Sequence, residues 1–208
     1  ILGLCLISIA VPLVSIFFIY MEKFVKNKNL VLKVDNQSAQ YTRYLNKIIG
    51  TIDLKKRAKL INAVGLEANP RKSKVCNTTD QIRETLEYNP AMFKYSSKGL
   101  LVSSSECHTL ERGRLNLSYN NEGIEGILDG GHNALACGLS ILEMIGISED
   151  VVGKIKKWDE FIELWKEVFN EKSFEKIDQA QNLMDKDPES IAQLPVEIIY
   201  PSEDGYSR

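Results

Sequence analysis

The chain has 208 residues, 44% of them hydrophobic and 26% charged, with a formal net charge of −2. That length and apolar content can bury one good core, and the charged fraction is that of a globular protein, which excludes a disordered or fibrous chain. Cys5, Cys76, Cys107 and Cys137 form no C-x-x-C pair, which argues against a disulfide framework or zinc site and for reduced thiols in a cytoplasmic protein.

Residues 1–20 are almost continuously apolar and are followed by Lys23, Lys26 and Lys28. Two readings fit. The stretch is long enough to span a bilayer with the lysines as its cytoplasmic flank. Alternatively it is upstream sequence ahead of a start at Met21, since everything after Met21 reads as soluble; that reading is preferred, and it argues against a membrane partner. From Met21 to Cys76 there are thirteen Lys/Arg against four Asp/Glu, and the remainder holds thirteen against twenty-four. Such a basic region can meet DNA or RNA, with Lys55, Lys56 and Arg57 as its densest cluster, or it can complement the acidic half internally.

Tyr41, Tyr44, Leu45, Ile48 and Ile49 fall at helical spacing and predict a helix over 36–52. Asp53 can cap a second helix over 54–62, which makes 21–63 an N-terminal helical region. Residues 64–66 then run extended into Asn69-Pro70-Arg71, where proline keeps Asn69 out of helix and leaves Arg71 on a strand end or loop. Thr78 or Thr79 caps a helix that ends near Asn89-Pro90. Strands are expected over 99–105, 114–119 and 126–129, followed by a glycine turn and a helix over 133–145. Beyond Ser148, apolar residues from Val151 to Phe169 mark one long amphipathic helix, with a second over 174–184. A strand over 194–200 closes the chain and lacks an obvious neighbour, so further protein is expected after Arg208.

The densest chemistry lies in Glu125-Gly-Ile-Leu-Asp-Gly-Gly-His-Asn-Ala-Leu-Ala-Cys137. It reads as strand, two-glycine turn, helix, and a helix N-terminus offers unpaired N–H groups and a positive dipole end to an anion. Asp129 and His132 are the one close acid–imidazole pair in a chain with two histidines. Asp129 can hold Mg²⁺, act as a base, or simply cap the helix. His132 at a helix start should favour neutral imidazole able to move a proton; a structural hydrogen bond to a strand is the alternative. Arg71 can pair bidentately with phosphate or form a surface ion pair. Lys98 beside Gly99 is a weaker phosphate candidate, His108 beside Cys107 lacks further ligands, and the Trp158/Phe161/Trp165 stripe has the spacing of core.

Several pieces in order carry a resemblance: Asn69-Pro70-Arg71, Ile82-Arg83-Glu84-Thr85-Leu86, Asn89-Pro90-Ala91-Met92-Phe93, Lys98-Gly99-Leu100 and Leu128-Asp129-Gly130-Gly131-His132. The series is similar to the nucleotide-binding unit of ParB proteins and sulfiredoxin, and within that superfamily resembles the abortive-infection phage-resistance (AIPR) family and the related DGQHR proteins. It covers about a third of the chain, within a core drawn at 64–147, with 148–208 a truncated helical segment and final strand. The resemblance implies an α+β fold with a small mixed sheet, flanked by helices, in anti-phage defence. Its ligand would be a nucleotide or other phosphorylated molecule, with Mg²⁺ arriving on the nucleotide and phosphoryl or phosphodiester hydrolysis as the reaction class. Asn69, Arg71, Lys98, Gly99, Gly130, Gly131 and Asn133 would bind phosphate, and Asp129 and His132 would handle proton or metal. A non-enzymatic DNA/RNA-binding module of a restriction-linked system is the alternative. The chain departs from the pattern in three places: AIPR-type sequences place an amide where His132 stands, DGQHR and ParB-like sequences an Arg where Asn133 stands, and sulfiredoxin-like chemistry needs a cysteine that this turn lacks.

Overall fold

The computed structural model describes residues 28–184 and 191–202, and the expectations for 1–20 lie outside that range. Among the described residues the chain is α+β, with two β-sheets and seven α-helices. In chain order these are β1 (Lys28–Lys33), β2 (Asp35–Tyr41), β3 (Leu45–Ile52), α1 (Leu54–Ala63), α2 (Asn77–Tyr88) and α3 (Phe93–Ser96). Then come β4 (Leu100–Ser103), β5 (Glu106–Leu110), β6 (Arg114–Tyr119), β7 (Gly126–Asp129) and α4 (Gly131–Met144). The chain continues through α5 (Glu149–Val152), α6 (Trp158–Val168), α7 (Glu171–Met184) and β8 (Leu194–Pro201).

The larger sheet is mixed, in the order β2-β3-β8-β4-β7, with β4 and β8 parallel and every other pair antiparallel. The smaller sheet is antiparallel, β1-β6-β5. The chain passes between the two sheets three times, the last over 120–125 from β6 to β7. At Val34 it leaves β1 for β2, and at Ser104-Ser105 it leaves β4 for β5. The second crossing is pinned where the Ser104 and Ser105 hydroxyls both donate to the Ser118 carbonyl. A single hydrophobic cluster joins both sheets and the helices. The large sheet draws strands from 35–52, 100–129 and 194–201, across the boundaries expected from sequence.

Three expectations are corrected. Residues 36–52 form the β2–β3 hairpin, not a helix. Two periods compete there: the tyrosines satisfy helical spacing, but Ile48, Gly50 and Ile52 alternate inward along β3. β-Branched side chains favour the pleated solution, and Thr42 closes the turn by accepting the Leu45 N–H through its hydroxyl at 3.1 Å. Tyr41 and Tyr44, which fall at helical spacing in the sequence, are exposed. Secondly, the long helix after Ser148 is two helices, because the chain turns after Gly153 and an isolated bridge joins Lys157 to Lys74. Thirdly, β8 has neighbours on both sides and sits at the centre of the large sheet. The helix over 54–62 forms as expected, and the Asp53 carboxylate accepts the Lys56 N–H at 3.0 Å. The next helix starts at Asn77 with Cys76 as its cap residue, and the Thr79 hydroxyl reaches back to the Cys76 N–H.

α4 is the central helix, touching α1, α2, α5, α6 and α7. Ten of its fourteen residues are buried. Gly138 is required where α6 crosses it, because an added Cβ would overlap the Phe161 ring. Trp158, Phe161 and Trp165 are buried as their spacing predicts, and rings continue through Phe169 and Phe174 with centroids 4.0–5.4 Å apart.

Candidate functional site: the glycine corner at the start of α4

β7 is the edge strand of the large sheet and delivers the chain to the N-terminus of α4. Gly130 sits in the left-handed region at φ +84°, which L side chains resist by roughly 1–2 kcal/mol. A Cβ there would also overlap the Gly99 carbonyl oxygen. Gly99 is left-handed too, at φ +78°, and a Cβ on it would overlap the Pro195 carbonyl of β8. The two loops and the central strand therefore meet backbone to backbone. Asn133 locks the contact, its side-chain amide donating to the Gly99 carbonyl at 2.8 Å in a buried setting.

A cleft of about 380 Å³ opens at this corner, lined by Lys98, Gly99, Leu100, Leu101, Asp129, Gly130, Asn133 and Glu197. Leu101 pairs with Asp129 on one side and with Glu197 on the other, so both carboxylates lie on one cross-strand row. Glu197 is also bound by Lys47 at 2.6 Å. Asp129 is exposed, and one carboxylate oxygen accepts the Gly130 N–H at 2.8 Å. The helix begins at Gly131 with Gly130 as the cap residue, two residues earlier than expected. The capping role weighed for Asp129 is thereby corrected: it stands one residue too early to cap α4.

The remaining candidates divide. Asn69 lies against the other face of the turn, because a Cβ on Gly131 would meet the Asn69 side-chain nitrogen and overlap the Ser73 hydroxyl. Arg71 is exposed just beyond, where its N–H donates to the Asn69 side-chain oxygen at 2.9 Å in an Asx turn. His132 is half-buried, and no hydrogen bond to a neighbouring strand holds it among the described residues. Thus Lys98, Gly99, Asp129, Gly130 and Asn133 share one cleft, while Asn69 and Gly131 pack behind it. Cys137 is fully buried one helical turn on. Glu197 is the residue the sequence reading missed. The alternation in Leu194-Pro-Val-Glu-Ile-Ile-Tyr200 sets its side chain opposite Val196 and Ile198, but nothing local reveals β4 as its neighbour.

The chemistry available is backbone N–H groups at a helix start, one ammonium, two carboxylates and an imidazole nearby. Among the described residues no three His, Cys, Asp or Glu side chains gather around one point. Oxygen donors such as Asp129 and Glu197 are nevertheless the type Mg²⁺ takes when phosphate oxygens supply the rest of its shell.

The basic region is largely consumed internally. Four ion pairs tie it to the acidic half: Lys28–Glu122, Lys47–Glu197, Lys55–Asp178 and Lys72–Asp159. Lys56 is held between Asp35 at 2.5 Å and Asp53 at 2.7 Å, and Arg57 is buried. Of the two readings weighed for the Lys55/Lys56/Arg57 cluster, nucleic acid or the acidic half of the chain, the ion pairs of Lys55 and Lys56 favour the second.

No helix among the described residues is long and apolar enough to cross a membrane. Compared with known protein families, curated proteins and solved structures, the chain matches none.

Proposed function

We propose that the chain carries the ligand-binding core of a cytoplasmic anti-phage defence protein of the AIPR type, with a ParB/sulfiredoxin-like core, and that the glycine corner binds a nucleotide or another phosphorylated ligand. The observation that supports this best is the left-handed Gly130 ahead of a fourteen-residue helix, with Lys98 and Gly99 on the same cleft. A phosphate seated there meets backbone N–H groups and the positive end of the helix dipole, worth up to ~2 kcal/mol in partly buried geometry. Lys98 supplies the countercharge from the rim, and Arg71 from behind the turn. Asp129 and Glu197 are the residues that would hold Mg²⁺ brought with the nucleotide, and the ion would supply charge neutralisation to the phosphates. Asp129 keeps its second oxygen for a water or an ion, and Asp129 and His132 are the groups that would carry a proton. Hydrolysis of a phosphoryl or phosphodiester bond is the reaction this set would serve.

Calorimetric titration of nucleoside triphosphates with Mg²⁺ should show saturable binding of at least one. Absence of heat with all of them would end the proposal. Phage plating with folded Asp129→Ala and His132→Ala variants separates catalysis from architecture, since loss of protection is expected from the former alone. The DNA/RNA-binding alternative predicts affinity that falls steeply with salt. The inward ion pairs of Lys55 and Lys56 speak for the phosphorylated small ligand instead.

A further inference from the structure

A cavity larger than the glycine-corner cleft lies away from it, on the flank of α4. It measures about 850 Å³ and opens between α1, α2 and α4, a size in the usual range of ~300–1,000 Å³ for small-molecule sites. Its walls are mainly apolar, with Leu54, Leu86 and Met144 among them. Within it lies one unusual group. Arg57 is 4% exposed and has no carboxylate partner among the described residues. Its guanidinium donates to the Ala192 carbonyl at 3.1 Å and to the Cys137 sulfur at 3.6 Å, and its buried Nε has no partner.

A buried cation held only by neutral acceptors costs several kcal/mol unless an anion joins it. Cys137 is not that anion: burial pushes its thiol up, more strongly than Arg57 pulls it down. The neighbouring Lys56 shows the ordinary solution, with two carboxylates against it. Arg83, also on the cavity wall, is already matched by Glu143 at 2.5 Å. Of the cavity's cationic groups among the described residues, Arg57 is therefore the one left unmatched. Asp80, Glu84 and Glu87 of α2 stand around the same opening. They repel a polyanion, and so select a ligand with one negative charge and an apolar body over a nucleotide.

We propose that this cavity is a second ligand site, separate from the glycine corner, for an amphiphilic monocarboxylate whose head group pairs with Arg57 and whose apolar body fills the space beside Leu54, Leu86 and Met144. The carboxylate exchanges a weak thiol acceptor for a charge-assisted one. The guanidinium fork suits that geometry better than any other cationic side chain.

The test titrates the full chain with decanoate, decanol and decyltrimethylammonium below their aggregation concentrations. Decanoate should bind with one-to-one stoichiometry and at least about tenfold more tightly than decanol, the discrimination expected from one charge-assisted bond. Arg57→Met should abolish that preference while leaving decanol unchanged, with Arg57→Lys intermediate. If Arg57→Met does not fold, the wild-type preference for decanoate together with slower alkylation of Cys137 in its presence carries the same information. Equal affinity for decanoate and decanol overturns the proposal, as does tighter binding of decyltrimethylammonium. Failure here leaves the glycine corner untouched, since none of these probes carries phosphate.

Discussion

α4 serves two cavities by opposite means. At its N-terminus the site is made of backbone: glycines at 130 and 131, a carbonyl locked by Asn133, and exposed polar side chains on the rim. Along its flank, one turn further on, the site is made of side chains: a buried guanidinium, a thiol and apolar walls. The first offers several weak donors that suit a highly charged ligand near solvent. The second offers one strong, buried donor beside apolar walls and suits a single charge with an apolar body. The difference teaches that one helix can border two unlike surfaces, one of backbone N–H groups at its end and one of side chains on its flank.

The sharpest way to break the backbone site is Gly130→Ala, which forces a Cβ into a left-handed residue and against the Gly99 carbonyl. The expected cost is ~2–5 kcal/mol, from the conformational and overpacking penalties together. Gly113→Ala is the control: φ is +68° but the nearest neighbour stands 3.4 Å away, so ~1–2 kcal/mol is expected. Chemical denaturation of both proteins measures the gap, and equal losses would mean that the close approach contributes nothing.

The next largest effect contrasts the neighbours Lys56 and Arg57. Lys56→Met strands Asp35 and Asp53 and should cost ~3 kcal/mol, near the lower end for breaking a buried pair because Asp35 is partly exposed. Arg57→Met removes an unmatched charge and should cost far less. The pair also sets a pH window. Burial raises the Asp53 carboxyl, but hydrogen bonds and charge from Lys56 outweigh it and hold the group below its usual 3.8. Its contribution is present above that value and lost as pH falls through the lower folded one. Burial lowers Lys56, but the hydrogen bonds and charges of Asp35 and Asp53 outweigh it and hold the group above 10.5. That contribution is complete below 10.5 and lost as pH rises through the higher folded value. Lys56→Met should flatten both limbs in a stability-against-pH series.

Asn133→Ala leaves the buried Gly99 carbonyl without its donor and should cost ~1–3 kcal/mol in the same denaturation experiment. The smallest effect is a rate order. Hydrogen bonding from the Thr79 backbone at the start of α2 lowers the Cys76 thiol, burial pushes Cys107 up to about 11, and Cys137 is fully enclosed. Alkylation followed by peptide mass spectrometry should modify Cys76 first and Cys137 last among these three, because the thiolate is the reacting form.

Legibility in the sequence followed the range of the forces involved. The strand–glycine turn–helix was readable because its signals are local: Ile127 and Leu128, then Gly130 and Gly131, then an apolar helix. Asp53 as a cap was local as well. The β2–β3 hairpin was misread because Tyr41, Tyr44 and Leu45 fit helical spacing while the deciding pattern, Ile48, Gly50 and Ile52, has period two. Glu197 could not be assigned to the corner, since its place depends on β8 entering the sheet between β3 and β4. Arg57 did leave a trace. It falls on the face of α1 set by Leu54, Ala58 and Ile61, where a charge signals a buried cation. The excess of lysine before Cys76 was real as composition, but its partners are spread across the acidic half and only the fold brings them together.

The most direct test of the two-cavity account is a calorimetric titration of Mg²⁺-nucleoside triphosphate into the wild-type chain, into Lys98→Ala, and into wild type saturated with decanoate. The account predicts saturable binding that is about tenfold weaker in Lys98→Ala, the loss expected of one charged hydrogen bond, and unchanged by decanoate. No binding at all, or displacement of the nucleotide by decanoate, would contradict it.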